Sequence, residues 1–197
     1  MHTKDLILKT AKEMIAEVGY HKTTTAKLAR KAGISEGTIY RHFSSKEEIL
    51  LQILQELGDS YTEYIQSLYK ESEKIDYITL ERMLDWHMTF VDKYESDVRI
   101  VLNTYGILES SRIAMAKFTI HMRNFFEDML RSSIERGHCA PVPVRQTAMV
   151  FVMLIMGTAR AKLYATEFEE FGELNDFSEE MVKFTRRGIV PWDKLED

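Results

Sequence analysis

No proline occurs before Pro141 in this chain of 197 residues, and Pro141, Pro143 and Pro191 are the only three. Proline removes a backbone donor and breaks helix interiors, so nothing before Pro141 forbids long helices. Apolar residues recur three and four apart, while Val, Ile and Thr never form the alternating runs of a half-buried strand. The chain reads as all-α, with about nine helices, a three-helix head and a larger helical body.

Composition narrows the class further. Hydrophobic residues make up 45% and charged residues 29%, enough for a packed core and unlike a disordered segment. Cys139 is the only cysteine, which excludes an intrachain disulfide and a cysteine-rich zinc site and suits a reducing cytoplasm. The longest apolar run, Ala148 to Met156, falls short of the ~20 residues of a bilayer span. The start, Met1-His2-Thr3-Lys4-Asp5, lacks the character of a secretory signal. Membrane, secreted and fibrous classes are not expected. Neither is an enzyme, a metal or another cofactor. The sequence has no Gly-rich phosphate loop, no His-Glu-x-x-His and no nucleophile elbow, and the adjacent His138-Cys139 make no cage by themselves.

The net charge of −5 hides an asymmetry: residues 1–50 carry +3 and the remainder −8. A basic head on an acidic body suits a head that meets polyanions. Leu6, Ile7, Thr10, Ala11, Met14, Ile15 and Val18 share one helical face, and Gly19 is placed to end that helix. Thr23-Thr24-Thr25 offers a cap to a short helix ending near Ala32. Gly33-Ile34-Ser35 makes a three-residue turn, and Ser35 caps a third helix from Glu36 to Phe43. Ser44 or Ser45 caps a fourth, with Ser45-Lys46-Glu47-Glu48 as a capping box, running to about Tyr69 with a bend expected at Gly58. Two short helices joined by such a turn are a helix-turn-helix. The third helix would present Glu36, Gly37, Thr38, Arg41 and His42 to a major groove ~12 Å wide.

The segment Thr23 to Leu50, with Ala32-Gly33-Ile34-Ser35-Glu36-Gly37-Thr38-Ile39-Tyr40-Arg41-His42-Phe43 at its centre and Ser45-Lys46-Glu47-Glu48 after it, resembles the N-terminal signature of the TetR family of bacterial transcriptional repressors. The resemblance covers about Leu6 to Leu54. It implies a DNA-binding domain over residues 1–48 and an effector-binding and dimerisation domain over 49–197. It implies phosphate contacts from Thr24, Thr25, Tyr40, His42 and Lys46, with Ser35, Gly37 and Thr38 at the tip of the recognition helix. Base choice falls to Glu36 and Arg41, which suit cytosine N4 and guanine O6/N7. Some family members place an arginine where this chain has Ala26, so one base-reading position is lost.

The partners implied are an operator duplex, a second copy of the chain and a small hydrophobic effector, with no membrane. Two recognition helices about one DNA turn apart, ~34–36 Å, read a palindrome. Thr79–Tyr94, a helix capped by Ser96 or Asp97, and Glu109–Arg136 form most of the body. Arg145–Glu167 is apolar nearly all round, so one side is expected in the core and another against a partner. Phe151, Leu154, Gly157 and Ala161, with Met181 of a last helix capped by Asp176 or Ser178, are the expected dimer residues. Eight of the eleven methionines lie between residues 80 and 160 and suit an adaptable apolar pocket, or simply a core. Trp86, Phe90, Tyr94, Asn103, Met115, Phe118, Met122, Phe125 and Met153 are the expected effector residues. A regulator without an effector, or an activator, remains open on the sequence.

Overall fold

The computed structural model describes residues 2–71, 77–171 and 177–189, with no side-chain detail for 68–71, 77–82, 84–85, 171 and 177–178. Nine α-helices and one 3-10 turn make up these residues, with no strand among them. They are α1 (Thr3–Val18), α2 (Thr25–Ala32), α3 (Glu36–His42), α4 (Lys46–Glu71), α5 (Tyr77–Lys93), α6 (Glu95–Tyr105), α7 (Glu109–Glu135), α8 (Val144–Glu167) and α9 (Phe177–Ile189). Packing divides the chain into two compact units. The first takes Met1–Ser60 and Tyr94–Ala116, the second Tyr61–Lys93 and Lys117–Asp197.

The first unit is built by local signals. Gly19, at φ 81, and Gly33, at φ 69, end α1 and α2 in conformations that side chains with a Cβ rarely adopt. Thr24 caps α2 by accepting from Lys27 N, and Ser35 caps α3 by accepting from Thr38 N. Glu48 N bonds Ser45 Oγ at 3.1 Å, while the Glu48 carboxylate accepts from Ser44 N and Oγ. The expected box is therefore shared between two serines, and Ser44 holds the Glu48 carboxyl below its usual range. α4 runs unbroken through Gly58.

Ile7, Leu8, Ala11, Met14 and Ile15 of α1 close on Leu28, Ala29, Ile39, Phe43, Ile49, Leu50 and Ile53. Ile100 of α6 completes this core. Truncating Ile100 to Ala should cost about 2–4 kcal/mol, read as a lower denaturation midpoint. Around it, Lys12 of α1 reaches Asp97 of α6 at 3.2 Å and Glu56 of α4 at 3.8 Å. Asp97 is thus engaged by a lysine, not spent on a cap. α6 begins at Glu95 behind Tyr94, which lends no side-chain cap, and an Arg99–Glu95 pair at 2.8 Å secures its first turn.

In the second unit, α8 packs Ala148, Phe151, Val152, Ile155, Ala159 and Leu163 inward. By length and composition it could cross a bilayer, a test that the core helix of a helical protein also passes. Its opposite stripe is bare: Val150 is 50% and Met153 48% exposed, followed by exposed Gly157 and Tyr164. Phe151 and Met181, both expected at a partner surface, are buried within the protomer; Leu154 and Ala161 are half-buried. On α9, Phe184 is 69% exposed. Asp176, an expected cap, lies outside the described residues, and Ser178 is already inside α9.

Candidate nucleic-acid interface

α2 and α3 present a continuous polar surface over a closed apolar floor. Ile39 is fully buried and anchors α3, while half-buried Ile34 wedges the turn. That anchoring turns Glu36, Gly37, Tyr40, Arg41 and His42 outward, with Thr38 half-buried between them. Tyr40 leaves 53% of its surface to solvent although it is a large aromatic.

Two hydrogen-bonded groups order this face. Thr25 Oγ1 donates to Glu36 Oε1 at 2.6 Å and lies 3.3 Å from the Tyr40 hydroxyl, which ties the start of α2 to α3. Arg41 Nη2 donates to Thr38 Oγ1 at 3.0 Å, which in turn meets Ser35 Oγ at 2.8 Å. Arg41 is therefore laid along its own helix, a donor fork held against the surface. A Cβ added at Gly37 would meet only Ser35 Oγ, at 3.8 Å, so the fold itself does not require glycine there. A small residue at that tip instead leaves room for another backbone to approach.

The expected residues thus converge, with one difference. Lys46 Nζ donates to the Tyr20 carbonyl at 3.0 Å and stands 4.0 Å above the Tyr20 ring. Burial pushes its pKa down. Its ammonium joins the first turn of α4 to the loop after α1 through one of its three N–H donors. His42 is exposed. Cations that motif reading passed over gather nearby: Lys22, Lys27, Arg30 and Lys31 rim a groove of about 290 Å³ floored by Met14 and Val18. The signal was present in the net charge of the head, though not in any spacing.

The expected effector residues are divided between the two units. Tyr94, Asn103 and Met115 belong to the first unit and the other six to the second. Asn103 lines a groove of about 270 Å³ with Ile15, Tyr20, Arg99 and Ile107. Met153 sits on the bare stripe of α8. In the second unit Trp86, Phe90 and Phe118 surround Tyr61 at centroid distances of 5.0–5.5 Å. Sequence reading missed Tyr61 and its partner His87, whose Nδ1 is 3.1 Å from the Tyr61 hydroxyl. His87 falls on the buried face of α5 with Met83, Phe90 and Val91, and that periodic position was the available signal. Burial holds His87 down to about 4, with the Ile155 carbonyl opposing and Lys162 assisting. Among the described residues no cluster of His, Cys, Asp or Glu could hold a metal ion.

Capped α2 and α3, a glycine turn between them and an outward row of hydroxyl, carboxylate, guanidinium and imidazole groups make a helix-turn-helix of the kind that meets DNA. Residues 7–53 match the family model for bacterial regulatory proteins of the tetR family. Those residues make the head a DNA-binding domain of the tetR type. The fatty acid metabolism regulator protein of Bacillus subtilis is 40% identical over 65 residues, 33% of this chain and 34% of that protein, so the match spans about a third of that relative. A TetR-family regulator structure from Syntrophomonas wolfei superposes with a TM-score of 0.76 at 18% identity, covering 92% of this chain and 91% of its own. The regulator FadR of Bacillus subtilis, solved in complex with stearoyl-CoA, gives a TM-score of 0.75 at 22% identity over 90% of this chain and 96% of its own. These structural likenesses extend the shared fold beyond the head.

Proposed function

We propose that this chain is a repressor that binds a palindromic operator as a homodimer and releases it when a small apolar effector binds residues 49–197. The observation that carries the DNA half is the outward surface of Thr24, Thr25, Ser35, Gly37, Thr38, Tyr40, Arg41 and His42 on two short, capped helices. Hydroxyls and helix N-termini suit phosphate oxygens, and Arg41 and Glu36 suit base edges.

The bare stripe of α8 supports the dimer. Val150, Met153, Gly157 and Tyr164 recur at helical spacing, and a Cβ at Gly157 would meet nothing within 4 Å of its own protomer. Glycine inside a helix costs about 1 kcal/mol relative to alanine. A close partner helix gives that cost a use.

Support for an effector is chemical. Methionines 83, 122 and 129 and the aromatic group around Tyr61 furnish an apolar, deformable interior. A neighbour of the same fold holds stearoyl-CoA, so long-chain acyl thioesters are the first class to try. An effector must bind the two DNA-spacing states unequally, or it shifts nothing.

The test is selection of random duplexes on the purified protein at fixed salt, because phosphate contacts make affinity salt-dependent. The expected outcome is an enriched inverted repeat with half-sites one DNA turn apart. Release from that repeat by an acyl thioester then establishes the effector. Absence of enrichment, with the protein folded and again with cell extract added, overturns the operator reading.

A further inference from the structure

The carboxylate of Glu36 lies in the middle of the surface proposed to meet phosphate. Among the described residues no cation pairs with it: its bond is to Thr25 Oγ1 at 2.6 Å, and Tyr40 OH is 3.3 Å from the same hydroxyl. Thr25 and Tyr40 are hydroxyls expected to donate to a DNA phosphate. In the free head, Thr25 instead donates to an oxygen anion supplied by the chain itself. Arg41 makes no ion pair with it; its guanidinium donates to Thr38.

We infer that Glu36 is an internal stand-in for phosphate, which every duplex must displace before the start of α2 and α3 can dock. This rests on the DNA-binding reading above and assigns Glu36 a role distinct from simple base contact. A random duplex that drives the carboxylate off Thr25 leaves it uncompensated among phosphates, where like charges a few ångströms apart repel. A duplex that offers an amino group to the displaced carboxylate, as cytosine N4 does in the major groove, compensates it. The residue thereby weakens non-specific binding more than specific binding. Specificity is a difference of affinities, and this side chain raises it by penalising the wrong partners.

Glu36→Gln retains an acceptor for Thr25 and removes only the charge; Glu36→Ala removes both. Each is compared with the unaltered protein on a random-sequence duplex and on the enriched inverted repeat, across a salt series, after thermal melting shows that the fold is retained. Both variants should bind the random duplex about tenfold more tightly, and the ratio of operator to random affinity should fall. If both variants bind random duplex no more tightly than the unaltered protein, which itself binds the repeat, the inference is overturned and Glu36 is a base contact alone. If no form binds any duplex at low salt, the DNA-binding reading fails instead, a result readily told apart from the first.

Discussion

Met153→Glu should leave the protomer folded and abolish its pairing. Met153 is 48% exposed in the middle of a bare apolar stripe, so within one protomer the glutamate stays solvated and stability changes little. At a two-fold interface the same substitution places a charge on each side at once, among Val150, Gly157 and Tyr164 and their symmetry mates. Leaving a charge buried without a partner costs about 3–5 kcal/mol, or roughly 10²–10⁴-fold in the dissociation constant. Sedimentation velocity should show monomers at concentrations where the unaltered chain is dimeric. Operator affinity should drop by at least as much, because a single head grips one half-site. A dimer that survives Met153→Glu would move the interface off this stripe of α8.

The second large effect is on acid stability. His87 titrates at about 4 in the fold against 6.5 for a free histidine, so the folded chain binds fewer protons than the unfolded chain between those values. Stability contributed by keeping His87 neutral is complete above pH 6.5 and is lost as pH falls towards 4. The interval corresponds to about 3 kcal/mol. Denaturant midpoints measured from pH 7.5 to 4.5 should fall accordingly in the unaltered chain. His87→Gln should start lower, because it disturbs the bond with Tyr61, and show a flatter profile. Equal slopes in the two proteins would place the acid sensitivity elsewhere.

The head was legible because its determinants are local. A serine or threonine at a helix start, a glycine at φ 69 and an apolar face on α1 act within a few residues of themselves. The body was legible only as helices. α8 is apolar nearly all round, so the sequence does not say which stripe turns inward, and Phe151, expected against a partner, is buried while its neighbour Val150 is bare. α6 shows the same limit: Ile100 and Asp97 serve α1 residues more than eighty positions earlier, a pairing no local window contains. Within the site, spacing put Glu36 on the outer side of α3 and the family resemblance pointed to Lys46. Their hydrogen bonds to the Tyr20 carbonyl and the Thr25 hydroxyl depend on the fold and could not be read from spacing.

The stacked pair of Tyr64 and Trp86, with ring centroids 3.8 Å apart and planes 12° from parallel, gives the second unit an optical reporter of its own. The chain has two tryptophans. Substituting Trp192 by phenylalanine would leave Trp86 as the sole indole emitter, seated on one tyrosine and beside Tyr61 and Phe90. Any molecule that wedges into this aromatic group must separate or re-stack those rings. Its arrival would then be read from the wavelength and anisotropy of native fluorescence, without a label and without DNA in the cuvette.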